Sequence, residues 1–288
     1  MRNLLYYLPY IALVSSAPPY KVSDQPVVSI NNGTVVGVRS STFDQDFFLG
    51  IPYAQPPVGN LRFRPPRSIN ESWHERQASS YGAWCHSAPL QLPGFSQNNS
   101  YHQEDEDCLT INIVRPHGVT QYSKIPVLVW IYGGGLQEGG SADQRYNSSY
   151  IVQQSVRLGM PIVHVSFNYR LSGFGFLSGR ALVGSGNANL GLYDQRLALH
   201  WIQENIGAFG GDPSRVTIQG ESAGAHSVGY HFMAYDGRDD ALFRAGIAES
   251  GGPMFLVGFL SPDQQDVLYE DVLNSTNCKA KADSIPGL

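Results

Sequence analysis

A serine flanked by glycines constrains the fold of this chain more than any other feature. The segment from Val216 to Ala225 reads VTIQGESAGA, in which an apolar, β-branched run ends in Gly-x-Ser-x-Gly. Gly220 and Gly224 leave room for a sharp strand-to-helix bend, here called the elbow (residues 220–224). The hydroxyl of Ser222 is therefore expected to project outward where the helix begins. Alone the pattern is weak, because a serine in a turn often only caps a helix.

A second segment supplies the context that such a serine needs. Residues 125–135 read IPVLVWIYGGG, which predicts a buried parallel strand followed by three glycines, here called the glycine segment (residues 133–135). Backbone N–H groups at glycines can approach a bound molecule closely, and such donors stabilise the oxyanion of acyl transfer by about 3–4 kcal/mol each. We therefore predict a serine esterase with Ser222 as nucleophile. Its predicted oxyanion donors are the N–H groups of Ala223, Gly134 and Gly135.

Charge and composition argue against several other functions. The net charge of -5 and the lack of a basic stripe argue against a nucleic-acid partner. The sequence has no Walker-type phosphate loop and no His/Cys cluster with metal-ligand spacing, so we predict neither cofactor nor metal. The expected partner is a small-molecule ester. The 288 residues, with 31 glycines and 18 prolines, suit one large, loop-rich α/β domain.

The N-terminus predicts secretion. Residues 1–17 combine a charged start, a short apolar run and small residues at the end, which is the pattern of a signal peptide. The run is too short to span a bilayer, and Pro18 would hinder cleavage directly after residue 17. The alternative is an ordinary apolar N-terminal segment. Possible glycan sites agree with secretion and begin at Asn32, Asn70, Asn98, Asn147 and Asn274.

Three cysteines cannot all pair within the chain. A bridge between Cys85 and Cys108 would close a polar loop and stabilise the fold by about 3 kcal/mol. Cys278 is then either a buried thiol or bonded to a cysteine beyond residue 288, and we favour the second.

The apolar pattern predicts an α/β fold. A β-hairpin is expected over Val27–Ile30 and Thr34–Val38, and an ordered proline-rich loop over residues 51–59. Further strands are predicted over Ile111–Val114, Val127–Ile131, Ile162–Phe167 and Ala245–Ala248, and a helix over Leu192–Ile206. Strands that alternate with helices imply a mostly parallel, doubly wound sheet, with its site at the C-terminal ends of the strands.

Jointly, these motifs resemble the type-B carboxylesterase/lipase family, which includes the cholinesterases. The resemblance runs from about the hairpin to Gly252. Besides the elbow, it is carried by the segments FLGIPYA (48–54), RFRPP (62–66), EDCL (106–109), YGGG (132–135), NYR (168–170) and GAFGGDP (207–213). It implies an α/β-hydrolase fold and a cofactor-free esterase. The family usually has an aromatic residue after the three glycines, and the leucine here, Leu136, bears on the acyl pocket.

The resemblance also implies specific pairings. Cys85–Cys108 looks like the family's first disulfide, and Cys278 like one half of the second. The family's two internal ion pairs correspond to Arg62 with Glu106 and to Arg170 with Asp194. We expect structural rather than catalytic roles for both pairs.

The largest departure from the family concerns the catalytic histidine and acid. In this fold they follow the serine along the chain, yet only His226 and His231 come after Ser222. Both are expected on the helix that begins at the elbow, in structural roles, because the bend directs that helix away from the serine's partner. We therefore expect residues 18–288 to form a C-terminally incomplete domain with little or no activity alone.

Four hypotheses about function follow. A secreted serine carboxylesterase is the leading one. A lipase ranks second, because residues 86–107 contain prolines and asparagines rather than the amphipathic helix of a lid. A noncatalytic, cholinesterase-like adhesion protein ranks lower, since such relatives lose the nucleophile whereas this chain retains Ser222. The last is an unstable by-product whose sheet ends in an unpaired edge.

Overall fold

A mixed β-sheet of seven strands forms the centre of the fold, and a second sheet of three strands lies beside it. The computed structural model describes residues 25–90, 102–254 and 260–278, so the predicted signal peptide and Asn98 lie outside it. The strands are β1 Val27–Ile30, β2 Gly33–Val36, β3 Val38–Ser40, β4 Gln45–Pro52, β5 Glu75–Gln77, β6 Thr110–Pro116, β7 Ile125–Ile131, β8 Val163–Phe167, β9 Gly211–Glu221 and β10 Ala245–Glu249. The helices are α1 Ser149–Arg157, α2 Ser172–Phe176, α3 Arg180–Gly184, α4 Leu190–Asn205, α5 Ala223–Gly237 and α6 Pro262–Ser275.

One half of the large sheet is parallel, as predicted. Its strands follow the order β10-β9-β7-β8, and each neighbouring pair is parallel. β8 is buried throughout, and the alternate residues of β7 and β9 that form the core are apolar and fully enclosed, among them Val129 of β7 and Ile218 of β9. This burial explains the apolar runs that identified these strands. The predicted strands over 111–114, 127–131, 162–167 and 245–248 are confirmed with shifts of one to two residues.

The other half of the sheet is antiparallel. β8 pairs with β6, β6 with β4 and β4 with β3, each in antiparallel register. The α/β class is confirmed, but only half of the strand pairings are parallel. Parallel neighbours need a crossover connection, usually a helix, whereas β3 and β4 are joined by a short turn. The sequence pattern does not predict β4, and its last residues, Ile51 and Pro52, fall within the predicted proline-rich loop.

The N-terminal hairpin is present but shorter than predicted. β1 and β2 pair in antiparallel register from Val27 opposite Val36 to Ile30 opposite Gly33. The predicted second strand breaks at Gly37, where a Cβ atom would lie 2.2 Å from the carbonyl oxygen of Phe47. The chain then enters β3 of the large sheet, and β5 completes the small sheet in parallel with β2.

Two helices support the strand that carries the elbow. α4 spans Leu190–Asn205, close to the predicted 192–206, and α5 packs against β9 and β10. β10 lies at the edge of the sheet, and four of its five residues are exposed. Within the described ranges, no helix has the length and apolar character that crossing a bilayer requires.

The first disulfide and the two ion pairs implied by the family resemblance are present. Cys85 and Cys108 form a buried disulfide. The second disulfide, expected between Cys278 and a cysteine beyond residue 288, stays a prediction. Arg62 donates two hydrogen bonds to Glu106. The carboxylate of Asp194 is fully buried and accepts three hydrogen bonds from Arg170, at 2.7, 2.8 and 3.0 Å. Both ion pairs join separate segments of the chain, as a structural role requires.

Candidate active site

Ser222 occupies a strained position at the N-terminus of α5. Its backbone angles are φ 56° and ψ -121°, a conformation that non-glycine residues rarely adopt, and its side chain is half-buried. Both flanking glycines are required by contacts with backbone. A Cβ atom on Gly220 would lie 2.4 Å from Gly224, and one on Gly224 would lie 2.1 Å from the carbonyl oxygen of Ile131. The strand, the bend and the helix thus meet too closely for any side chain at these positions.

The sheet brings the glycine segment next to the elbow. β7 and β9 are parallel neighbours, and Ile131 at the end of β7 pairs with Gly220 at the elbow. The glycine segment therefore continues alongside Ser222. A Cβ atom on Gly133 would lie only 2.9 Å from the Cβ of Ser222, so the serine side chain stands directly against this glycine.

The glycine segment forms a tight turn. Gly134 and Gly135 have positive φ angles of 100° and 63°, and the carbonyl of Gly134 accepts hydrogen bonds from the N–H groups of Gln137 and Glu138 at 3.0 Å. No described residue accepts a hydrogen bond from the N–H of Gly134, Gly135 or Ala223.

The elbow is tied to the edge strand and has an acidic neighbour. The N–H of Ser222 donates to the carbonyl of Glu249 in β10 at 2.9 Å. The Glu221 carboxylate approaches the glycine segment, with Oε2 3.1 Å from the position of a Cβ on Gly133. Burial, and then the charge of Glu249, raise the pKa of Glu221. The proton affinity of this carboxylate is thus increased close to the serine.

A buried polar chain supports the first turn of α5 from behind. Ser227 donates to the carbonyl of Ala223 at 3.0 Å and accepts a hydrogen bond from Gln195 of α4 at 3.1 Å. Gln195 in turn lies 2.9 Å from Nε2 of His231. No sequence pattern indicates this set of hydrogen bonds, because Gln195 and Ser227 occupy single polar positions within helices and match no motif.

The two histidines of α5 are in structural positions, as predicted. Burial, and then the charge of Arg196, lower the pKa of His231 to about 3, so its ring stays neutral at physiological pH. The Nδ1 of His226 lies 2.6 Å from the carbonyl oxygen of Gly252, where it acts as the donor. Both rings are thus bound to partners other than Ser222.

An apolar cleft begins at the glycine segment. It has a volume of about 630 Å³, and Gly135 and Leu136 form one wall. Leu136 has a positive φ of 61°, and its carbonyl accepts a hydrogen bond from the N–H of Ser172 at 2.8 Å. The remaining apolar lining comes from the region of α2 and from α6: Phe176, Leu177, Leu268 and Val272. Over the described part of the chain, no cluster of His, Cys, Asp or Glu could hold a metal ion.

Comparison with known proteins identifies relatives that match about nine-tenths of this chain. Lipase 4 of Diutina rugosa is 40% identical over 283 residues, which cover 92% of this chain and 51% of the lipase. Secreted lipase 1 of Botryotinia fuckeliana is 40% identical over 280 residues, covering 90% of this chain and 48% of the relative. The crystal structure of Aspergillus niger EstA superposes with a TM-score of 0.77 at 38% identity, covering 89% of this chain and 46% of EstA. The chain thus spans about half the length of these relatives.

Two independent findings therefore agree on the ancestry of this protein. The fold is shared with the solved structure of EstA. The sequence profile of the carboxylesterase family also matches residues 24–284, which is nearly the whole chain. The chain belongs to the carboxylesterase family of α/β-hydrolases.

Proposed function

We propose that the whole protein hydrolyses carboxylic esters through an acyl-enzyme formed on Ser222. The strained conformation of Ser222 beside the glycine segment carries this proposal, because strain of this kind is maintained where function requires it. The hydroxyl oxygen attacks the ester carbonyl carbon, and the carbonyl oxygen becomes an oxyanion. The N–H groups of Ala223, Gly134 and Gly135 stabilise that charge. The tetrahedral intermediate then expels the alcohol, and water releases the acid from the serine.

The base in this proposal is a histidine outside the described residues. His231 is buried and neutral, and His226 is hydrogen bonded to Gly252. The relatives are about twice as long as this chain, which leaves room for an acid and a histidine in the rest of the whole protein. In the order known for this fold, both residues follow the serine. Residues 18–288 would then be the N-terminal part of one domain.

Turnover of a short-chain nitrophenyl ester tests both parts of the proposal. Without its histidine the serine hydroxyl stays protonated, and loss of such a group lowers turnover by about a million-fold. We expect negligible turnover by residues 1–288 alone and rapid turnover by the whole protein, abolished by Ser222→Ala. Rapid turnover by residues 1–288 that Ser222→Ala abolishes would show that the base lies within this chain. Turnover that persists in the Ser222→Ala whole protein would refute the proposed nucleophile.

Lipase activity is the second candidate function. The apolar cleft beside Gly135 has the size and lining of a site for an acyl chain, and two of the relatives named above are lipases. Hydrolysis of emulsified long-chain triglyceride in preference to soluble esters would favour the lipase. The opposite preference would favour the carboxylesterase. An adhesion protein would hydrolyse neither the triglyceride nor the soluble esters, and a fluorophosphonate would not label it.

Secretion is part of the proposal. The Cys85–Cys108 disulfide is typical of proteins outside the cytosol, and the sequons at Asn70, Asn147 and Asn274 are exposed. One relative is named a secreted lipase. We expect the protein to appear in the culture medium of a eukaryotic host with glycans that an endoglycosidase removes. Retention of the unmodified protein in the cytosol would contradict this.

A further inference from the structure

Two buried tyrosines interlock at the ends of neighbouring strands. Tyr132 directly follows β7, and Tyr169 lies two residues beyond β8. These strands are parallel neighbours, with Trp130 opposite Ser166, so their ends lie side by side. Both tyrosines are fully buried, and their rings stack with centroids 4.5 Å apart and planes 17° apart. Neither side chain belongs to the predicted catalytic groups.

The two tyrosines exchange hydrogen bonds with each other's backbone. The hydroxyl of Tyr169 donates to the carbonyl oxygen of Tyr132 at 2.8 Å. The hydroxyl of Tyr132 donates to the carbonyl of Tyr169 and accepts from its N–H, both at 3.2 Å. Burial raises the pKa of both phenols, so the hydroxyls remain protonated donors at any physiological pH.

The two hydroxyls hold different parts of the chain. The Tyr169 hydroxyl binds the carbonyl of the peptide group that joins Tyr132 to Gly133, the first residue of the glycine segment. The same carbonyl oxygen lies 3.0 Å from the position of a Cβ on Gly224, so it is enclosed between this hydroxyl and the elbow helix. The Tyr132 hydroxyl instead binds the backbone of Tyr169, which leads into Arg170 and its ion pair with Asp194.

We propose that Tyr169 is a positioning residue for the oxyanion donors. Its hydroxyl fixes the peptide plane from which the glycine segment departs and thereby sets the direction of the N–H groups of Gly134 and Gly135. Hydrogen-bond stabilisation of an oxyanion depends on the placement of the donors, and a misplacement of about 1 Å can cost about 100-fold in rate. This inference rests on the proposed function for its catalytic consequence. The positioning itself can be measured separately.

Tyr132→Phe is the matched control for Tyr169→Phe. Each substitution removes one buried hydroxyl from the same stacked pair, but only Tyr169→Phe releases the carbonyl of Tyr132. In the whole protein, we expect Tyr169→Phe to accelerate amide hydrogen exchange in a peptide covering residues 134–138 by at least tenfold relative to Tyr132→Phe, because the N–H groups of Gln137 and Glu138 donate to the carbonyl of Gly134. Equal exchange of this peptide in the two variants would overturn the proposal, whatever the protein catalyses.

The catalytic consequence is measured on the whole protein with an ester and its thionoester. Sulfur accepts hydrogen bonds weakly, so the rate ratio of ester to thionoester reports on the oxyanion donors. We expect Tyr169→Phe to lower kcat for the ester about tenfold, with KM little changed and the ratio reduced by a similar factor. Tyr132→Phe should leave the ratio unchanged, and 4-aminophenylalanine at position 169, which restores an N–H donor, should recover it.

The outcomes separate the two proposals. An unchanged ratio in Tyr169→Phe, or no recovery with 4-aminophenylalanine, would overturn the catalytic role of Tyr169. If Tyr169→Phe fails to fold, the 4-aminophenylalanine variant still decides, since a ratio well below that of the wild type would contradict the proposal. If the wild-type whole protein hydrolyses neither substrate, the proposed function fails, and hydrogen exchange alone decides whether Tyr169 holds the glycine segment.

Discussion

Gly224→Ala offers a sharp test of the packing that creates the elbow. The new methyl group would lie 2.1 Å from the carbonyl oxygen of Ile131 and 3.0 Å from that of Tyr132. Both atoms are backbone and cannot rotate away as a side chain could. An ordinary contact begins at 3.4 Å, whereas the methyl group would lie 2.1 Å from the oxygen of Ile131. The start of α5 would therefore have to move away from β7 by the difference, about 1.3 Å.

The expected cost follows from two opposing effects. Overpacking of this kind typically costs about 1–3 kcal/mol, and the upper end applies here because the contact is with backbone. Alanine is better than glycine inside a helix by up to about 1 kcal/mol, which offsets part of that cost. We therefore expect a net loss of about 2 kcal/mol in the free energy of unfolding. A displacement of about 1 Å next to Ser222 should also lower turnover by the whole protein about 100-fold.

Gly184→Ala is the matched control for this experiment. Gly184 ends α3, has an ordinary φ angle and has no atom near the position of an added Cβ. We expect Gly184→Ala to keep or slightly raise the free energy of unfolding measured in guanidinium chloride, without a change in turnover. If Gly224→Ala were as stable and as active as Gly184→Ala, the close approach of α5 to β7 would not determine the elbow geometry, and our account of it would be wrong.

Three further predictions concern groups away from the serine. Asp194→Asn leaves the buried guanidinium of Arg170 without its counter-ion and should lower the free energy of unfolding by about 3–5 kcal/mol in denaturant titrations. Replacement of Cys85 and Cys108 by serine, which opens a loop of 23 residues, should cost about 3 kcal/mol in the same assay. His231 binds a proton more readily in the unfolded chain, because its pKa is about 3 in the folded protein against an ordinary 6.5. Its contribution to stability should fall by about 2 kcal/mol between pH 6.5 and 5, and His231→Gln should flatten that part of the pH profile. An unchanged unfolding midpoint in Asp194→Asn would contradict the structural role of the ion pair, and one in the Cys85/Cys108 variant would contradict the stabilisation by the disulfide. An unchanged pH slope in His231→Gln would contradict the assignment of that slope to His231.

Local patterns in the sequence were sufficient to predict the elbow and the strand that leads to the glycine segment. The apolar runs that became β7 and β9 place alternate residues in the core, so their composition is determined by their own surroundings. The glycines at 220 and 224 are required by close backbone contacts, and the strained backbone of Ser222 belongs to the same bend. Such features are encoded within a few residues, which is why a motif can identify them.

Features that depend on distant contacts were not predictable in the same way. β4 contains polar residues buried by other segments, such as Asp46, which Arg115 pairs with at 3.2 Å. β5 is a three-residue strand with two charged residues, and only its pairing with β2 defines it. The polar chain from Ala223 to His231 likewise requires α4 and α5 to be packed together before its bonds become visible. Tertiary packing, rather than local preference, determines these parts.

The most direct test of the central claim is to locate the reactive atom. The whole protein is treated with a fluorophosphonate, digested and analysed by peptide mass spectrometry, with Ser222→Ala as the control. Our account predicts one phosphonyl adduct, on Ser222, and neither adduct nor ester hydrolysis in the variant. An adduct on a different residue, or hydrolysis that survives the substitution, would contradict it.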